Sequence, residues 1–359
     1  MAEGSDIWTI RAALEWTQGY LDRKGDENPR LSAEWLLAEA CSMRRVELYV
    51  NFERPLSPEE REVLRGFVAR RGRGEPLQYI TGEVGFRHIA VKVRPGVLIP
   101  RPETEVLVSE ALSLLPAPAR RRATDSLSEE ELAALVAQAA AEEAPNEAAE
   151  ANALGETPGE VADSTPFCES VSRETSVRVE SEHDSVEETL LVADLCTGTG
   201  CIACSIAYEH PAARVVATDL SPEAVALARE NAAALGLEER VRVLECDLAA
   251  KIGPAFDGRF DLVVSNPPYV PASVLAEMPR EVTAFEPVLA LDGGADGNDV
   301  LRRILPEAMR LLKPGGALAL ELHETRLDAA AGLARSAGFS DIRIIPDLAN
   351  RPRVLTCRK

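Results

Sequence analysis

The sequence predicts an α/β fold: a mostly parallel sheet with helices on both faces, carrying a small all-helical domain at its N-terminus. From residue 190 onward, short apolar runs alternate with amphipathic segments in strand–helix order. Residues 5–72, in contrast, repeat apolar residues at helical spacing only. The 359 residues are enough for two such domains, and apolar residues at 46% supply a core for both.

In the N-terminal region, 1–75, Ile7, Ile10, Ala13 and Leu14 recur at helical spacing, as do Leu31, Trp35, Leu36 and Ala38. Ser57-Pro58-Glu59-Glu60 reads as a helix start, with Ser as cap and Pro in the first turn. Residues 76–100 change character. Tyr79-Ile80-Thr81-Gly82 and Ile89-Ala90-Val91-Lys92-Val93 alternate like strands around Gly85, predicting a hairpin linker.

The second domain, 101–359, is interrupted by 119–189. That stretch holds 18 Asp or Glu against 5 Arg, a net −13 of the chain's −20. Rich in Ala, Glu, Ser and Pro, it has too little apolar surface to offset its ordering entropy, so a solvated, disordered insertion is expected. A docking tail for a partner is the alternative. Ser128 and Glu131 have capping-box spacing ahead of Leu132, Leu135 and Val136, which predicts a transient helix over 127–143. Beyond the insertion, strands are predicted at 190–195, 213–218, 240–245, 260–265, 316–322, 341–346 and 353–358. Helices fit between them at 200–209, 222–235, 299–312 and 325–337.

Composition narrows the function. Acidic residues outnumber basic ones 59 to 39, which disfavours a broad grip on nucleic-acid backbone. No run approaches the ~18 apolar residues of a membrane helix, and MAEGSDIWTI lacks a basic-then-apolar leader. A soluble, cytoplasmic protein is expected. Seven irregularly spaced cysteines do not form an extracellular disulfide framework. Cys196, Cys201 and Cys204 match the C-x4-C-x2-C spacing of some iron–sulfur sites. They fall on a loop and the first turns of a helix with no evident fourth ligand, so they read as small core fillers, and no metal is expected.

The first strand, Leu190-Leu191-Val192-Ala193-Asp194, runs into Cys196-Thr197-Gly198-Thr199-Gly200-Cys201-Ile202-Ala203. Gly198 and Gly200 let a ligand approach the backbone while the next helix begins. Asp219 closes the second strand, where an acid can accept from both ribose hydroxyls of a nucleoside. The pattern is compatible with a dinucleotide dehydrogenase and also suits S-adenosylmethionine, with Asp194 near the amino-acid end of that cofactor. A simple tight turn is the bland alternative.

The most specific signal is Asn266-Pro267-Pro268-Tyr269, directly after the strand Leu262-Val263-Val264-Ser265. Two consecutive prolines fix φ and remove two N–H donors, leaving rigid carbonyl acceptors. A planar NH2 group, on an amide or an amino-purine, could donate to the Asn266 side chain and the Pro267 carbonyl while Tyr269 stacks on its face. Such a cradle biases the nitrogen toward attack on an electrophilic methyl group and stabilises the charge developing on it. No dedicated base is needed, and neither His88 nor His323 is assigned a role.

At this point the residues resemble the bacterial glutamine N5-methyltransferases that modify peptide chain release factors. The resemblance covers about 75–359 apart from the insertion, and more loosely the helical domain. It is carried in order by Glu75-Pro76-Leu77-Gln78-Tyr79-Ile80, Val97-Leu98-Ile99-Pro100-Arg101-Pro102-Glu103-Thr104-Glu105, the Asp194–Gly200 loop, and Asn266-Pro267-Pro268-Tyr269. Phe285-Glu286-Pro287, Ala290-Leu291, Gly293-Gly294 and Gly297 follow.

The resemblance implies a seven-stranded class I methyltransferase (Rossmann-like) sheet, an N-terminal substrate-recognition domain, and S-adenosylmethionine as cofactor. The implied acceptor is the glutamine of the Gly-Gly-Gln loop of class I release factors, a modification that tunes translation termination. By this match Asn266, Pro267, Pro268 and Tyr269 bind the glutamine amide. Cys196, Thr197, Gly198, Thr199, Gly200 and Asp219 contact the cofactor, which Asn266 also borders. Leu248, after Asp247, lies near adenine, where an aromatic would stack better. Arg101, Glu103 and Thr104 shape the cofactor pocket or serve structural hydrogen bonds.

This sequence departs from the pattern in three places. Cys196 stands at the usual first glycine, which narrows backbone freedom there. His323 and Arg326 interrupt a Glu-x-Gly-x-x-Gln pattern after Glu321. The insertion is foreign to the pattern; it enters at the end of the first strand opposite Asp194, so its deletion is expected to leave turnover near normal.

Three other functions compete with this reading. A DNA adenine-N6 methyltransferase should carry a target-recognition domain and a basic face, which the helical domain and the net charge speak against. A ribosomal-protein glutamine methyltransferase is a second enzyme reading, but the Ile99–Glu105 run looks more like the release-factor branch. An inactive cofactor-binding scaffold is the non-enzyme reading, opposed by the intact Asn266 and Asp219. No direct nucleic-acid or membrane partner is expected.

Overall fold

The computed structural model describes residues 8–117, 189–275, 277–278 and 280–359, which fall in one compact unit. Ile7 and residues 118–188, with the predicted disorder and the 127–143 helix, lie outside the described residues.

The N-terminal region is helical at Ile10–Arg23, Pro29–Ala40, Arg45–Val50, Pro58–Arg71 and Leu77–Thr81. Ser57 caps the fourth helix as predicted: its hydroxyl accepts from Glu60 N at 3.1 Å, and Glu60 accepts from Ser57 N at 2.8 Å. Ile10, Ala13, Leu14, Leu36, Leu37, Leu64 and Val68 share one core. Leu31 and Trp35, read as core-facing, are exposed. The second helix instead turns Ala33, Leu36, Leu37 and Ala40 inward, an i, i+3, i+4, i+7 stripe, and leaves Trp35 beneath the Arg45 guanidinium.

The hairpin is shorter than predicted. Tyr79-Ile80-Thr81 is helix, not strand: it lies in the helix Leu77–Thr81, with Tyr79 and Ile80 both buried. Gly82, at φ +79°, ends that helix in the left-handed conformation. The strands are β1 (Glu83–Phe86) and β2 (Ile89–Lys92), paired antiparallel. Arg87 at their turn donates to Glu209 through two nitrogens, at 2.6 and 2.7 Å, tying the hairpin to the second domain.

The main sheet has seven strands: β3 (Leu190–Leu195), β4 (Ala213–Asp219), β5 (Val241–Glu245), β6 (Phe260–Ser265), β7 (Leu312–Glu321), β8 (Ser340–Pro346) and β9 (Pro352–Arg358). Their order is β5-β4-β3-β6-β7-β9-β8, and every pair is parallel except those of β9 with β7 and β8. Helices occupy Thr104–Leu114, Cys201–Glu209, Pro222–Ala234, Asp299–Leu311 and Leu327–Ser336. Val192, Val215, Leu262, Val264 and Ala317 join Leu107, Val108, Ile202 and Ile206 in one core. Intervening strand residues such as Ala193, Val263 and Leu318 are fully buried and turn to the other face.

Beyond residue 189, predicted strands and helices fall within two residues of the observed ones, except that β7 begins at 312 rather than 316. Its Pro314-Gly315-Gly316 reads as a turn but is carried in the strand, opposite a register shift between Phe260 and Leu262.

Candidate active site

Open α/β sheets bind ligands beyond the C-terminal ends of their strands, where the strand order reverses. Here the reversal lies between β3 and β6. Asp194 lies near the end of β3, Asp219 closes β4, Asn266 follows β6 and Glu321 closes β7. Beside them lies an open cleft. Cys196, Thr197, Gly198, Thr199, Asp219, Leu248, Asn266 and Pro268 all line it, so the structure brings together two motifs about seventy residues apart in the chain. Residues 96–101 and the Leu289-Ala290 pair line it as well.

The loop after β3 is shaped around Asp219. Gly198 N donates to Asp219 Oδ2 at 2.8 Å and Ser221 N to Oδ1 at 2.9 Å. Burial raises the Asp219 carboxyl above its ordinary value, while these backbone donors oppose the rise. Gly198 has φ +58° and Cys196, in the usual glycine's place, has φ +61°. A side chain held in that region costs roughly 1–2 kcal/mol, so the departure at Cys196 leaves the loop geometry in place at the expense of local strain.

Four expected site residues do not line the cleft. Asp194 is fully buried; its Oδ2 accepts from Thr197 Oγ1 at 2.6 Å and Ala203 N at 3.2 Å, bracing the loop from behind. Burial pushes its carboxyl up to about 7. Gly200 serves packing: a Cβ there would meet Ala228 Cβ at 3.0 Å and Cα at 3.2 Å. Pro267 is buried beside Asn266. Tyr269 does not offer its ring to the cleft; its hydroxyl donates to Glu321 Oε1 at 3.2 Å and its ring faces His323.

Glu321 received no role from the sequence, yet it is 1% exposed at the strand end next to Asn266. Asn266 Nδ2 donates to Thr104 Oγ1 at 3.2 Å, and Thr104 lies against the Glu321 carboxylate. Burial raises the Glu321 carboxyl above its ordinary value. The signal that could have found it is topological, since an acid ending β7 must stand beside whatever follows β6. Arg101 ion-pairs with buried Glu286, whereas Glu103 turns outward to Arg351. Gly293 and Gly297 also gain a reason: a Cβ on either would lie within 2.7 Å of the Tyr269 backbone. They let the 291–297 loop rest on the Asn-Pro-Pro-Tyr segment, held by Val270 N to Leu291 O and Gly293 N to Val270 O, both 2.9 Å.

Residues 181–279 match the family description "Methyltransferase small domain". Together with the sheet order and the strand-end cleft, this defines a class I, S-adenosylmethionine-dependent methyltransferase. The cleft suits a sulfonium cation. Asp219 and Asp292 line it, and its arginines, Arg101 and Arg303, are already paired with Glu286 and Asp247. The buried Thr199 hydroxyl in its wall has no hydrogen-bond partner.

Residues 12–82 match the description "PrmC N-terminal domain". A release factor glutamine methyltransferase of Geobacter sulfurreducens is 40% identical over 341 residues, covering 95% of this chain and 93% of its own. One from Rhodopirellula baltica is 33% identical over 362 residues, covering all of both chains. A ribosomal protein L11 methylase from Lactobacillus delbrueckii subsp. bulgaricus, of known structure, is 24% identical over 49% of this chain and 72% of its own, with a TM-score of 0.34. The chain belongs to the release factor glutamine methyltransferase family.

Proposed function

We propose that this chain transfers a methyl group from S-adenosylmethionine to the side-chain amide nitrogen of the glutamine in the Gly-Gly-Gln motif of class I peptide chain release factors. The observation that carries the reading is the position of Asn266: at the end of β6, in the wall of a cleft that also holds Asp219 and the glycine loop. When bound, the cofactor supplies a methyl group on a positively charged sulfur, a strong electrophile. The chain's own task is orientation. Asn266 Oδ1 accepts an amide hydrogen, turning the nitrogen lone pair toward the cleft and stabilising charge that grows on it. The methylated nitrogen then loses a proton to solvent without a dedicated base. Asp219 receives the ribose, Thr197, Gly198 and Thr199 border the cofactor, and Leu248 covers the adenine side. The helical domain, whose Trp16, Leu31, Trp35 and Val50 are exposed, receives the body of the release factor. We also read the protein as cytoplasmic; none of the described helices is long and apolar enough to cross a membrane.

Purified chain, release factor and methyl-labelled cofactor test this. Asn266→Ala is expected to lower kcat at least about 100-fold, the scale of losing a transition-state hydrogen-bond partner, while cofactor Kd changes less than about three-fold. Undiminished transfer by the variant, or equal labelling of plain duplex DNA, contradicts the assignment.

A further inference from the structure

We propose that Thr104 and Glu321 are positioning residues that decide which end of the Asn266 amide faces the acceptor nitrogen; the proposal rests on the acceptor assignment above. An asparagine amide has one accepting end and one donating end, and exchanging them by a flip barely alters its shape. A carboxamide nitrogen brings only N–H donors, so only the oxygen end of Asn266 is useful to it. Because Asn266 Nδ2 donates to Thr104 Oγ1 at 3.2 Å, the nitrogen end is committed and Oδ1 is left for the acceptor.

A hydroxyl can donate as well as accept, so Thr104 alone does not fix this choice. Glu321 does. A carboxylate accepts only, and this one is buried between two hydroxyls. Tyr269 donates to Oε1 at 3.2 Å, and Thr104 lies within reach of the same group. Oε2 is buried with no hydrogen-bond partner, so it is open to accept from the Thr104 hydroxyl. With its hydrogen turned toward Glu321, Thr104 can offer Asn266 only a lone pair. The polarity therefore runs one way, from Asn266 through Thr104 to Glu321, and no bond or proton changes hands. The same carboxylate anchors Tyr269, so one acid holds both ends of the Asn-Pro-Pro-Tyr segment.

Two readouts test this on the full chain. The side-chain amide resonance of Asn266, identified by its loss in Asn266→Ser, should shift and exchange faster in Thr104→Val. It should also shift in Glu321→Gln, although Glu321 does not touch Asn266, and return toward the parent position in Thr104→Ser. In methylation assays Thr104→Val and Glu321→Gln should each lower kcat at least about ten-fold with cofactor Kd nearly unchanged, Thr104→Ser should recover to within about three-fold, and the double variant should be no worse than the poorer single one. An unshifted Asn266 resonance in Glu321→Gln, failed rescue by serine, or strictly additive losses would overturn the relay. If the resonances respond as stated but the parent methylates no release factor, the functional reading fails and the relay stands.

Discussion

Asp194 is held inside the glycine loop by a hydroxyl and a backbone N–H rather than by a cation. Its carboxyl is pushed up to about 7 by burial, so between about pH 4 and 7 the folded chain keeps a proton that the unfolded chain has released. Stability attributable to this group is therefore present at low pH and lost as pH rises through that window. Asp194→Asn removes the penalty but keeps one acceptor. The melting temperature of the variant relative to the parent is expected to climb between pH 5 and 8; a difference that does not vary with pH refutes the ionisation argument. Individual residues were unevenly legible. Asn266 announced itself because Pro-Pro after an apolar strand leaves few other readings. The environments of Tyr269 and Gly200 did not, because their partners, Glu321 and Ala228, come from distant segments that only tertiary folding brings near.

Among the elements, helix Pro222–Ala234 does more than cover the sheet. Its buried Asn231 accepts from Lys92 N at 2.8 Å and donates to Lys92 O at 3.1 Å and Thr199 O at 2.9 Å, joining the hairpin to the glycine loop. Asn231→Leu would leave three backbone groups without this partner, the Thr199 carbonyl at a buried site and the two of exposed Lys92 at a partly buried one, at about 1–3 kcal/mol for each group that water cannot reach. We expect a total loss of about 2–4 kcal/mol in chemical denaturation and weaker cofactor binding through Thr199. Unchanged cofactor affinity would show that the loop holds its shape without this bridge. Strand–helix alternation was readable because apolar runs and helical stripes have different periods. The misread segment, 79–82, falls in and just after the five-residue helix Leu77–Thr81, which has too few positions for any period to show. At β7, glycines that usually end a strand are instead absorbed at a register shift.

For the whole molecule, the topology explains why one cleft can serve two chemistries. Strand ends on either side of the β3–β6 switch present Asp219, proposed to hold the cofactor, and Asn266, proposed to hold the acceptor, to the same space. The described residues that border the acidic stretch lie at the opposite, N-terminal end of β3, where Pro116 O accepts from His210 Nε2 at 2.8 Å and Leu190 N donates to Ala212 O at 3.0 Å. The identity of the acceptor protein was legible only through the resemblance, because the contacts that choose one glutamine among many are spread over a surface rather than written in a motif. The most direct test is therefore to react the purified chain with a class I release factor and locate the new methyl group by mass spectrometry of the digested product. The account predicts one added methyl on the side-chain amide of the Gly-Gly-Gln glutamine; a methyl group found on any other residue, or a release factor recovered unmodified, contradicts it.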